Sequence, residues 1–126
     1  MLKNAPPGGT NRLKPADLAR KVVDLLSDRQ AEDILLLDIR NVASFADYFV
    51  VANALSRRQI DAILEAVDDE MSAAGVTIMG REGKSDSGWV LIDLGDVVVH
   101  IFDPEERAFY NLEEMWHAAT QVVRLQ

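Results

Sequence analysis

Two apolar runs, Trp89 to Leu94 and Val97 to Phe102, are separated only by Gly95 and Asp96, and this arrangement constrains the chain more than any other stretch. Extended runs joined by a two-residue, glycine-containing turn predict a β-hairpin. Asp93 and Asp96 bracket the turn, where short acids bond to the local backbone. Directly afterwards Pro104 opens a charged and aromatic segment. Its stretch from Glu105 to Trp116 reads as an amphipathic helix carrying Phe109, Tyr110, Leu112 and Trp116. Adjacent helical residues point about 100° apart, so Phe109 and Tyr110 diverge, and some aromatic surface is left over for a partner. Trp, Tyr and Arg are the commonest interface anchors, and Arg107 stands among these rings.

Upstream, Pro15 suits a first helical position, and Leu18, Val22, Leu25 and Leu26 continue an apolar stripe. Asp33 to Ile39 and Asp47 to Ala54 are short, continuously apolar runs, as expected of strands covered on both faces. Ser56 to Gly75 is the clearest helix. Ser56 and Gln59 form a capping box, the stripe Ile60, Ile63, Leu64, Val67, Met71 and Ala74 marks its buried face, and Gly75 ends it. Val76 to Gly80 then predicts a third strand, parallel to the second because a helix connects them. Residues 81–88 read as a flexible loop. The predicted order is α-β-β-α-β-β-β-α, an α/β (α+β) fold with a mixed sheet. Residues 1–14 are expected to be a disordered tail, 15–120 a single domain, and 121–126 a C-terminal tail.

Composition narrows the function. The 13 basic and 21 acidic residues give a formal net charge of −8. That charge disfavours direct nucleic-acid binding and suits a basic protein partner. No cysteine is present, so disulfides, thiolate metal sites and a cysteine nucleophile are excluded, which fits the cytoplasm. No apolar run approaches the length that spans a bilayer, so no membrane association is expected. Nucleophilic catalysis lacks support, because only His100 and His117 are available and there is no GxSxG elbow. His100 falls on the strand face opposite Val99 and Ile101, where a hydrogen-bonded, half-buried histidine is the simplest reading. Paired with Asp103 it gives only two metal ligands, too few for a closed site. The segment GREGKS at Gly80 to Ser85 lacks the glycine spacing of a phosphate loop. No catalytic residue, metal or cofactor is expected.

Several motifs, in order, resemble the Iojap family, also called ribosomal silencing factor S (RsfS). They are Asp47-Tyr48-Phe49, Ser56-Arg57-Arg58-Gln59, Gly88-Trp89, Asp93 to His100, Arg107, Tyr110-Asn111-Leu112-Glu113 and Trp116, and the likeness covers roughly Leu18 to Ala118. The resemblance implies a nucleotidyltransferase-like sandwich without catalytic activity. It further implies a translation repressor that binds ribosomal protein 14 of the large subunit, blocks joining of the small subunit, and allows a homodimer. On these grounds Trp89, Asp93, His100, Arg107 and Tyr110 are the expected partner-binding residues. The competing reading is a small nucleotide- or metal-dependent enzyme of the same fold. Such chemistry needs a Gly-Ser turn followed by paired acids, and Asp38, Asp47 and Asp93 do not have that spacing.

Overall fold

The computed structural model describes residues 13–111, 114 and 116–126. Its elements are α1 (Pro15–Asp28), β1 (Glu32–Asp38), β2 (Tyr48–Asn53), α2 (Arg57–Ala74), β3 (Gly80–Glu82), β4 (Trp89–Asp93), β5 (Val97–Phe102), α3 (Pro104–Tyr110) and β6 (Thr120–Leu125). The strands form one mixed sheet in the order β3-β4-β5-β2-β1-β6. Among the described residues only β2 and β5 pair in parallel, and every other neighbouring pair is antiparallel.

The hairpin forms where the sequence places it. Leu94 N–H donates to the Val97 carbonyl at 2.9 Å, closing a turn whose two central residues are Gly95 and Asp96. Gly95 has a φ of 89°, the left-handed value that glycine adopts without a Cβ penalty. Asp93 Oδ1 accepts from the Gly95 N–H at 2.8 Å, so this acid serves the turn as its chemistry predicts.

Side-chain alternation then sorts the sheet into two faces. Ile34 and Leu36 of β1, Val50 and Ala52 of β2, Val90 and Ile92 of β4, and Val97, Val99 and Ile101 of β5 pack against α1 and α2. The opposite face carries Leu35, Leu37, Phe49, Val51, Val98 and Phe102, with Trp89, Leu91 and Trp116 packed on them. The continuously apolar strands are therefore covered on both sides, as their pattern requires.

Helix ends explain how the layers lock. Ser56 Oγ accepts from Gln59 N–H at 3.1 Å, and Gln59 Oε1 accepts from Leu55 N–H at 2.7 Å. The same amide donates to the carbonyls of Arg29 and Gln30 at 3.1 and 2.9 Å, tying the start of α2 to the end of α1. Gly75 ends α2 in the left-handed conformation, with φ 73°.

Four expectations are corrected. The third strand is Gly80–Glu82, not Val76 to Gly80. Val76 is buried and Ile78 packs on the core, so the apolar pattern recorded burial without ladder pairing. β3 runs in the same sense as β2, but β4 and β5 lie between them and it pairs with β4. The last predicted helix stops at Tyr110, because Asn111 adopts a left-handed φ of 48° and caps it; Leu112 lies outside the described residues. Residues 121–126 are no tail: β6 pairs with β1 across the sheet edge. Its side chains stay mostly exposed, so ladder bonds hold it, and an apolar pattern could not announce it. Of the expected N-terminal tail, residues 1–12 lie outside the described residues, and Leu13 already packs against the core.

Gln59 makes three hydrogen bonds and Ser56 one at the same helix start, so their removal should differ in cost. Ser56→Ala is expected to lose about 1 kcal/mol and Gln59→Ala about 2 kcal/mol, read from urea unfolding midpoints. Equal losses would show that the α1–α2 tie adds nothing.

Candidate protein-interaction surface

The register of β4, β5 and β2 builds the site. Trp89 lies opposite Phe102, which lies opposite Asn53; Leu91 opposite His100, opposite Val51; Asp93 opposite Val98, opposite Phe49. These three rows all point away from α1 and α2. The short helix α3 then crosses the first row. It starts where Asp103 Oδ1 accepts from Glu106 N–H at 2.9 Å, with Pro104 at the first helical position. Gly88 lets it approach, since a Cβ there would stand 2.6 Å from Glu106 Cγ.

A continuous band of rings results. Trp89 stacks on Phe102 with centroids 4.9 Å apart and meets Tyr110 at 4.6 Å. His100 meets Phe49 edge to face at 4.8 Å, and Phe49 meets Trp116 in the same way at 5.1 Å. Trp116 in turn reaches Phe45, 6.0 Å away. The band breaks the surface at its ends, where Phe45 is 61% exposed, Phe109 79% and Tyr110 41%. Phe45 escaped the sequence reading because it sits in an irregular loop with no periodicity to assign it a face.

His100 is buried beneath this band. Trp89 Nε1 donates to His100 Nδ1 at 3.2 Å, which assigns the ring proton to Nε2. Among the described residues that Nε2 has no hydrogen-bond partner. Burial disfavours the imidazolium and lowers the pKa to about 4, so the ring is neutral at physiological pH.

Arg107 is buried too, and it works inwards. Its Nη1 donates to the Asp33 carbonyl at 2.5 Å and to Asn53 Oδ1 at 3.0 Å, and Nη2 lies 3.5 Å from the Asp33 carboxylate. Asp33 has a φ of 47° at an irregularity in the β1–β2 register, which turns its carbonyl to the guanidinium. Arg124 of β6 reaches the same carboxylate at 2.7 Å. One arginine thus joins α3 to β1 and β2.

The structure accordingly gathers Trp89, His100 and Tyr110 into one band. Arg107 sits on the inner side of α3, and Asp93 lies at the far end of β4 from Trp89, engaged with the turn. Asp103, which the sequence places near His100, is the cap of α3. Among the described residues no group of three or more His, Asp or Glu side chains is placed to hold a metal ion. No helix among them is long and apolar enough to cross a membrane.

The chain is similar to known proteins along most of its length. Residues 12–126 match the family model described as Ribosomal silencing factor during starvation, RsfS. The ribosomal silencing factor RsfS of Bacillus subtilis is 44% identical over 89 residues, which is 71% of this chain and 75% of that protein. The protein of the same name from Halalkalibacterium halodurans is 38% identical over 106 residues, 84% of this chain and 91% of its own. A crystal structure of a Chromobacterium violaceum protein superposes with a TM-score of 0.78 at 35% identity, covering 83% of this chain and 88% of that one.

The neutral, buried His100 makes stability depend on pH. Its pKa falls from 6.5 unfolded to about 4 folded, so between these values the unfolded chain binds the extra proton and folding weakens as pH falls. Relative to His100→Asn, which keeps an acceptor and does not titrate, the protein should lose up to about 3 kcal/mol from pH 7 to pH 4. Urea unfolding across that range checks it, and parallel profiles for the two proteins would refute it.

Proposed function

This chain belongs to the ribosomal silencing factor family, and from that membership we propose that it binds the large ribosomal subunit through ribosomal protein 14 and blocks subunit joining. The mechanism is occupancy. The observation that carries this reading is the aromatic band exposed at Phe45, Phe109 and Tyr110 on a rigid sheet. Large rings offer contact area at low entropic cost, and such anchors dominate protein interfaces. The net charge of −8 favours encounter with a basic ribosomal protein.

The five residues expected at the interface take two roles in this proposal. Trp89 and Tyr110 contact the partner, and Asp93 presents the rim of the hairpin. His100 and Arg107 position that surface from below, because both are buried. No reaction is required of any of them. The relatives are named as silencing factors, and we propose the same non-catalytic role in the cytoplasm, with a homodimer as the alternative use of the aromatic band.

Co-sedimentation with free large subunits, small subunits and joined ribosomes at physiological salt tests the proposal. Binding should be confined to free large subunits, and joining should fail as protein is added. Tyr110→Ala should weaken binding at least fivefold, a loss of about 1 kcal/mol, whereas Glu65→Gln on the exposed side of α2 should change nothing. Absence of binding to every particle would refute the reading.

A further inference from the structure

Beside the aromatic band lies a cleft of about 330 Å³, lined by Glu82, Gly83, Ser87, Trp89, Leu91, Glu106 and Tyr110. Three elements shape it. Glu82 comes from β3, Trp89 and Leu91 from β4, and Glu106 and Tyr110 from α3. Its wall is preorganised: Trp89 is fixed by the stack on Phe102 and by its bond to His100, and Tyr110 rests against it. The loop closing one side is tight, because a Cβ on Gly83 would stand 2.2 Å from the Trp89 carbonyl oxygen. Ser87 Oγ is spent within that loop, donating to the Lys84 carbonyl at 2.7 Å.

The charge of the cleft is unbalanced. Glu82 and Glu106 form no ion pair among the described residues; Arg81 pairs with Asp68, Arg107 is committed to Asp33 and Asn53, and Lys84 of the adjoining loop is not among the residues that line the cleft. Two unneutralised carboxylates beside aromatic walls make a receptor for a cation. A planar guanidinium suits it better than an ammonium, since it stacks on rings and presents a fork of donors to carboxylates. Phosphate is repelled by the same pair.

We propose that this cleft receives an arginine side chain of the protein partner, so that one guanidinium lies against Trp89 and Tyr110 and bonds to Glu82 and Glu106. The proposal rests on the ribosome-binding reading for the identity of the partner, but the cleft itself is testable alone. In a Trp116→Phe background the emission reports Trp89. Titration with N-acetyl-arginine amide should change it saturably in the millimolar range. The neutral isostere N-acetyl-citrulline amide, or the variant Glu82→Gln/Glu106→Gln, should need at least fivefold more ligand. Equal responses to the two amides, or none, would overturn the arginine assignment. With isolated large subunits, the same double variant should bind at least tenfold more weakly than the unaltered protein. Unchanged binding would overturn the cleft's role at the interface and leave ribosome binding standing, and tighter binding would place phosphate opposite the cleft and also overturn it. If the unaltered protein binds no subunit, the ribosomal reading falls and the amide titration still decides the cleft.

Discussion

The parallel pairing of β2 with β5 is the constraint on which the rest of the structure depends. Every residue of β5 is buried, and so are five of the six in β2. Strands of this kind cannot leave a face in water, because each fully buried Val, Ile or Phe is worth about 1.5–3 kcal/mol only if both layers exist. The first layer is ordinary, two helices with apolar stripes. The second has too little chain for another pair of helices, since the segments available are the irregular stretch before β2, the short α3 and the residues before β6. Rings solve that shortage, because each covers more sheet than an aliphatic side chain. The aromatic band follows from the topology before any partner is considered.

A thin layer needs anchoring, and Arg107 supplies it. A buried guanidinium is costly unless it is paired, and here a backbone carbonyl and an amide oxygen accept from Nη1 while the Asp33 carboxylate lies 3.5 Å from Nη2. The left-handed Asp33 is the structural counterpart, a non-glycine residue held where few are found so that its carbonyl faces α3. Arg124 brings β6 to the same carboxylate. The end of the sheet where β1, β2 and β6 meet α3 is thus organised by charge, while its centre is organised by apolar packing.

These two modes of organisation explain what could be read from sequence. The hairpin, α1, α2 and both central strands announced themselves by periodicity and turn chemistry, and the alternation along β5 correctly separated His100 from Val99 and Ile101. Trp89 and Tyr110 were legible as a candidate surface because aromatic residues so close to a turn and a helix start have few places to go. What was illegible has no period. β6 is held by backbone bonds with exposed side chains, the helix stop at Asn111 is a left-handed residue other than glycine, and Phe45 stands in a loop. The sequence gives no means of telling that Arg107 points inwards, because its partners are 54 and 74 residues away in the chain.

The polar accounting around His100 shows what the second layer is built to do. Its bond from Trp89 contributes about 1 kcal/mol, and its burial makes the fold weaken as the pH falls through the range where a free imidazole takes up a proton, so stability alone does not call for a histidine here. A leucine in its place would carry no such pH dependence. What an imidazole adds is direction: an acceptor at Nδ1 fixes the indole plane of Trp89, and that plane sets the position of Tyr110 at the surface. Stability is therefore exchanged for a preorganised aromatic wall, which is the trade expected of a surface that must hold its shape before a partner arrives. A face built only to cover the sheet would have no reason to make it.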